Sequence, residues 1–403
     1  MSFGSADAEQ AFPIGATVTL EQLDQNPHPV LAALRHSEPV SWLPALNGWL
    51  VTRHDLAVTV MRDSSTFTVD DPRFSTAQVV GPSMLSLDGD AHARHRAPFA
   101  PPFRPHAVRE RFAQTTADEA DRLIDAFEQR GHAELRREFA GPLAASIMAR
   151  ALGLEQAEVP TMLGWYDAIV AAVTQVTAGR DIPTEGQETF DALSDRLHTV
   201  IAKGPEASLL GVAAEHEDLT AEQIVSNAAV LLFGGIETTE GMITNALLDL
   251  LEHPELIAWI GHDRKRLDPA LEESLRLEPA AAVVDRYATA DTDLRDAQIS
   301  RGELVRVSIT AANRDPAVFP DPNRFDPGRL APDHGGARRR HLTFAHGPHV
   351  CVGVHLARLE ARTALETILE RLPGLRTDPN RPSEVRGLVF RKPPMLHAEW
   401  NDA

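Results

Sequence analysis

Phe344-Ala-His-Gly-Pro-His-Val-Cys-Val-Gly353 contains the only cysteine of the 403-residue chain. Cys351 follows a loop with Gly347 and Pro348 and opens a helical pattern that runs from Val352 to about Leu372. Leu356, Leu359, Ala364 and Leu365 fall on one apolar side of it, Arg358, Glu360, Arg362 and Glu366 fall elsewhere, and Pro373-Gly374 ends it. A cysteine at a helix N-terminus lies among backbone N–H groups that have no intrahelical partner. Those groups and the helix dipole favour thiolate over thiol. A thiolate is a metal ligand, and one thiolate as sole protein ligand suits haem iron. Gly347 and Gly353 would let the backbone approach a flat macrocycle, and His349 could reach a haem carboxylate.

The decapeptide resembles the cysteine-ligand loop of cytochrome P450, Phe-Gly-x-Gly-x-His-x-Cys-x-Gly, commonly followed by Ala. It matches at Phe344, Gly347, His349, Cys351 and Gly353. It departs at Ala345, usually Gly, and at Val354, usually Ala; both read as small enlargements that leave the ligand intact. Taken alone, Cys351 would read as a buried structural cysteine. Five matches at fixed offsets outweigh that.

Composition narrows the rest. Lys plus Arg number 39 against 58 Asp plus Glu, a net charge of −19, which argues against nucleic acid or an anionic membrane surface as partner. One cysteine excludes an internal disulfide, and the absence of paired Cys or Cys/His spacing argues against structural zinc. Met1 to Pro13 lacks a basic, apolar signal pattern, and no apolar run approaches the ~18 residues of a membrane helix. The reading is a soluble, cytoplasmic protein without a membrane anchor: a flexible tail over residues 1–15, then one large domain over 16–403.

Outward from the loop, Thr220-Ala-Glu-Gln223 is a capping box that opens a long helix closed by His253-Pro254. Its middle reads Gly234-Gly-Ile-Glu-Thr-Thr239. Each mid-helix glycine costs roughly 1 kcal/mol relative to alanine, so a nearby flat ligand or an opened turn is expected. Glu237 and Thr238, a carboxylate and a hydroxyl beside that turn, could pass protons through water. The stretch resembles the P450 oxygen-activation motif at Gly234, Gly235, Glu237 and Thr238; alone, it would equally suit a glycine-packed helix crossing. Asp268-Pro269 starts another helix that carries Glu273-Ser-Leu-Arg276, an i,i+3 pair. The resemblance implies that this pair is buried and tied to a third member, matched to Arg324, in support of the cysteine loop; Glu272 reads as exposed. Asn313-Arg-Asp-Pro316 is part of the family's irregular stretch before the loop.

Val40-Ser-Trp-Leu and Trp49-Leu-Val-Thr flank Asn47-Gly48, a hairpin signal. Phe67 to Leu87 reads as a long loop, which the resemblance places over the substrate. His92 and Arg96, four apart on one helix face, suit a carboxylate; the resemblance assigns them and Arg286 to haem propionates. Residues 106–200 read as successive helices. Val79, Val80, Met84, Ala228, Leu232, Ala281, Val283, Val284 and Phe390 are the candidate substrate pocket. Arg338-Arg-Arg-His341 is a basic patch suited to an acidic electron carrier or, as readily, a solvated loop.

The resemblance therefore implies a mainly α fold with small β-sheets, and haem b held between the Gly-Gly helix and the cysteine helix with Cys351 as axial ligand. It implies a monooxygenase that activates O2, most simply to hydroxylate a hydrophobic small molecule, fed by a ferredoxin and its reductase. The rival readings are a peroxide-dependent relative, which would lack the acid–alcohol pair, and a haem-binding module without turnover, which would lose the cysteine or the threonine.

Overall fold

The computed structural model describes residues 10–154, 159–177, 180–204, 208–215, 218–330 and 341–401, a mainly helical chain with small sheets. It divides into two compact units: one of Thr244–Cys351, Thr377–Leu396 and the chain up to Thr68, the other of Val69–Ile243, Val352–Arg376 and the chain from His397.

The first unit is built on a five-stranded sheet ordered Val40–Leu43, Gly48–Val51, Leu304–Ser308, Val283–Ala288, Phe67–Thr68. The Asn47-Gly48 signal does turn the chain, with Asn47 at φ 45°. The connection is longer than two residues, because Pro44–Leu46 forms a 3-10 turn and Leu43 pairs with Gly48. Gly48 is required there: a Cβ would stand 2.9 Å from the Leu304 Cβ. One sheet face buries Val40, Trp49, Val51, Val305 and Val307 against Ala57, Val60 and Met61 of the helix His54–Arg62.

Phe12 joins this core, its ring edge-on to Trp49 with centroids 5.2 Å apart. The Ile14 and Gly15 N–H groups donate to the Glu38 carboxylate at 2.8 and 2.9 Å. A loose tail reaching residue 15 is thus too long. Phe12 is too apolar to leave in water, and its burial anchors the residues after it.

In the second unit, helices Pro105–Asp125, Gly141–Leu152, Val159–Thr177 and Thr184–Ala202 carry the expected apolar faces, with Phe112, Ile124, Leu143, Ile147, Ile169 and Leu197 buried. The cysteine-loop helix Val354–Arg371 buries Leu356, Ala361, Ala364, Leu365 and Ile368 in this unit. Strands His132–Glu134 and His397–Glu399 pair antiparallel. The Phe67–Leu87 stretch is more ordered than a loop: Ser75–Val80 is a helix that buries Thr76, Val79 and Val80 and stops at Gly81, φ 83°. A helix of six residues is too short to show a 3.6-residue period in sequence.

The Gly-Gly helix runs Ala221–Glu252, 32 residues and ~48 Å. Its capping box is formed: the Gln223 N–H donates to Thr220 Oγ1 at 3.3 Å and the Thr220 N–H to Gln223 Oε1 at 3.1 Å.

Candidate active site

The cysteine loop is closed by a backbone bond: the Cys351 N–H donates to the Phe344 carbonyl at 2.9 Å, and Cys351 is left exposed. The helix begins at Val354 with Gly353 at its cap, not at Val352. Cys351 thus lies two residues before the helix cap rather than directly at the first turn. Gly347 also has a different task. At φ 78° its Cβ would lie 2.6 Å from the Met61 carbonyl oxygen, so the glycine lets the loop rest on the end of helix His54–Arg62. His349 lies half-buried in the 3-10 turn Gly347–His349. Ala345 has φ 59°, a left-handed conformation that costs a side-chain-bearing residue about 1–2 kcal/mol. Alanine in this glycine position is thus a backbone matter as well as an enlargement, and it packs partly against the sheet core.

The loop's support differs in one member from the expectation. Arg276 donates through Nε and Nη2 to both Glu273 oxygens, at 2.8 Å each, and both side chains are fully buried. The third side chain is Arg329, whose Nε donates to Glu273 Oε1 at 2.8 Å. Arg324 is exposed and contributes only its carbonyl, which accepts from Arg276 at 3.3 Å and from Arg329 at 3.2 Å. The turn at Asp326–Leu330, whose Asp326 N–H also reaches Glu273 at 3.0 Å, points Arg329 rather than Arg324 inward. Arg276 Nη1 donates to the Asn313 carbonyl at 2.9 Å. The Asn313 side chain in turn accepts from the Leu342 N–H at 2.7 Å and donates to Thr343 Oγ1 at 3.0 Å. The network thus reaches the residues immediately before Phe344. Glu272, read as exposed, is half-buried with its carboxylate 3.0 Å from His341 Nε2. Arg338, Arg339 and Arg340 of the basic patch lie outside the described residues.

Elsewhere in the first unit, Arg286 is buried on its strand. Asp285 is held by Arg306 directly across the sheet through two bonds of 2.6 and 2.7 Å. Ala281 bridges to Phe390, which brings two of the expected pocket residues together. Val283 and Val284, being adjacent on a strand, point to opposite faces. Val284 packs against the Trp49–Val307 core, so only Val283 is left for a ligand face.

In the second unit, His92 and Arg96 lie on helix Gly89–Arg96, His92 buried and Arg96 half-buried. The two central glycines separate by role. A Cβ on Gly235 would meet Met148 Sδ at 2.5 Å, whereas one on Gly234 would meet nothing within 4 Å. Gly235 is a packing glycine; Gly234 borders open space. Thr238 Oγ1 donates to the Gly234 carbonyl at 2.7 Å, and Glu237 is buried one residue earlier. Val80, Ala228 and Leu232 have no exposure at all, so they form core rather than pocket lining, while Val79 and Met84 keep 4% and 5%. A residue facing a cavity large enough for water retains some accessible surface.

Each unit by itself carries groups whose chemistry suits haem. The first has one exposed thiol, a single anionic ligand, with Arg286 and His349 as donor types suited to carboxylates; the second has His92 and Arg96 of the same donor type and the open space at Gly234. Among the described residues, no group of three His, Cys, Asp or Glu could hold a bare metal ion.

A family described as Cytochrome P450 matches residues 187–397. The chain is 33% identical over 390 residues to cytochrome P450 monooxygenase PikC of Streptomyces venezuelae, covering 92% of this chain and 89% of that one. It is 32% identical to nocardicin C N-oxygenase of Nocardia uniformis subsp. tsuyamanensis, covering 97% and 98%. Among solved structures, CalO2 superimposes with a TM-score of 0.85 at 26% identity over 95% of this chain and 99% of that one. P450BioI, in complex with hexadec-9Z-enoic acid ligated acyl carrier protein, gives 0.83 at 26% over 94% and 100%. The chain belongs to the cytochrome P450 family. It is a haem-thiolate monooxygenase, and the family's cysteine ligand can only be Cys351. No helix among the described residues is long and apolar enough to cross a membrane.

Proposed function

We propose that this P450 inserts oxygen from O2 into a C–H bond of a hydrophobic small molecule, with electrons delivered by a ferredoxin and its reductase. Haem bound through Cys351 supplies oxygen binding and redox chemistry. The protein's part is proton control, and the observation that carries it is the Gly234–Thr238 turn. There a half-buried hydroxyl is bonded at 2.7 Å to the carbonyl of Gly234, a residue that borders open space, and the next residue back is a buried carboxylate. With its one proton on the Gly234 carbonyl, the Thr238 oxygen offers lone pairs that can hold a proton-carrying water. It can hand on its own proton only by turning off that carbonyl, and Glu237 is the residue that can replenish it. Such a pair favours the O2-dependent reading over the peroxide-dependent one, which needs no proton supply of this kind. Val79, Met84, Ala281, Val283 and Phe390 are the apolar side chains that would meet the substrate. His92, Arg96, Arg286 and His349 would hold the haem carboxylates.

The test is the carbon monoxide difference spectrum of dithionite-reduced protein, followed by turnover. A thiolate-type band in wild type, lost in Cys351→Ala, supports the ligand. Thr238→Ala should keep that band while lowering product per electron about 10²-fold. An imidazole-type band in wild type would overturn the reading.

A further inference from the structure

Ser83–Ser86 is a tight turn in the segment that carries Met84. The Ser86 N–H donates to the Ser83 carbonyl at 3.0 Å, the Ser83 N–H to Ser86 Oγ at 3.1 Å, and the Leu85 N–H to Ser83 Oγ at 3.3 Å. The turn is buried, Ser83 at 1% and Ser86 at 4% exposure. Three of its N–H groups are thus spent within it. The fourth, on Met84, donates to Asn227 Oδ1 at 2.8 Å. Asn227 lies on helix Ala221–Glu252, fully buried. Its Nδ2 donates to the Gln223 carbonyl at 2.7 Å and stands 3.0 Å from His95 Nδ1. This amide cannot be reversed, because its nitrogen would then face the Met84 N–H and its oxygen the Gln223 carbonyl. Nδ2 therefore donates its second proton to His95, whose Nδ1 must be the bare, accepting nitrogen. Burial, with Arg94 alongside, holds the His95 imidazole below its ordinary pKa, in agreement with that neutral form. Beside this junction, Gly81 packs so closely that a Cβ would meet Ser226 Oγ at 2.8 Å.

His95 belongs to the same helix as His92 and Arg96. We propose that Asn227 is a positioning residue that locks the Met84 turn to the helix bearing His92 and Arg96, so that substrate admission and the cofactor-holding helix are coupled through one amide. This rests on the reading of Met84 as substrate-facing and of His92 and Arg96 as haem-binding. The turn opens only when the junction breaks. An apolar residue at 227 or 95 uncouples the two.

The experiment is amide hydrogen exchange on the haem-loaded protein, with the peptide of Pro105–Asp125 as internal reference. The association rate of 4-phenylimidazole, followed by the haem absorption shift, is the second readout. Asn227→Ala should speed Met84 exchange at least tenfold relative to the reference and raise the association rate several-fold. His95→Leu should do the same, whereas His95→Gln, which can offer an amide oxygen to Asn227 Nδ2, should behave as wild type. A general loss of stability would move the reference peptide too and would not spare His95→Gln. Unchanged Met84 exchange in Asn227→Ala, or His95→Leu indistinguishable from wild type, overturns the coupling. If Asn227→Ala does not fold, the two His95 variants decide. A normal carbon monoxide band with unchanged Met84 exchange sinks only the coupling; a missing thiolate band in wild type sinks the functional reading itself.

Discussion

Arg329→Ala against Arg324→Ala is the sharpest test of how the cysteine loop is supported. Arg329 is 11% exposed at its side chain and donates to fully buried Glu273 at 2.8 Å. That bond is charge-assisted and contributes about 1.5–3 kcal/mol. Its Nη2 bonds to the Asp321 and Arg324 carbonyls, 3.1 and 3.2 Å, add about half as much between them. Glu273 keeps Arg276 and the Asp326 N–H, so it is not left unpaired. The expected cost is about 3 kcal/mol. Arg324 is exposed and acts through its carbonyl, which alanine retains, so Arg324→Ala should stay within about 0.5 kcal/mol. With an unfolding entropy of about 2.1 cal/mol/K per residue, 3 kcal/mol over 403 residues lowers the melting midpoint by roughly 3–4 °C. Thermal unfolding and the fraction of thiolate-type carbon monoxide complex are the assays. Because the network reaches Leu342 and Thr343 through Asn313, the Arg329 variant should also lose part of that complex. Arg329→Lys, which keeps the charge but not the fork, should fall between. Equal losses from the two alanine variants would refute the assignment.

Gly234→Ala and Gly235→Ala should differ in sign in the haem-free protein. The first fills open space and should gain about 1 kcal/mol of helix propensity, while the second must displace Met148 from 2.5 Å and should destabilise, as denaturant midpoints would show. Matching effects would mean that the two glycines are not distinguished as the structure has them. Asp249 carries a pH dependence. Burial first, with Glu278 and Glu252 nearby, pushes its carboxyl up to about 8. An unfolded aspartate ionises near 4, so between about pH 4 and 8 the native state binds the extra proton. That contribution is complete below about pH 4 and is lost as pH rises towards 8. Asp249→Asn should remove the decline, narrowing or reversing its stability difference from wild type by on the order of a few kcal/mol between pH 5 and 8. A difference that stays flat across that range would exclude Asp249 as the titrating group.

The amino-acid sequence alone determined the family, because its markers are local. A cysteine with glycine and histidine at set offsets, a capping box opening a long helix, and Gly-Gly-x-Glu-Thr within it are each legible in ten residues or fewer, and backbone chemistry makes their spacing meaningful. The helices of the second unit were legible for a similar reason, since a buried stripe repeats along the chain. Tertiary structure alone decided which partner each marker meets. Arg329 and Arg324 are five residues apart with the same side chain, and only the Asp326–Leu330 turn selects between them. Gly234 and Gly235 are identical until Met148 packs on one of them. Gly347 took its meaning from Met61, distant in sequence. Val283 and Val284 were separated by the strand pleat, and Asn227 became a junction only once Met84 and His95 were folded against it. A buried polar group is defined by its surroundings, and those come from segments that share no local pattern.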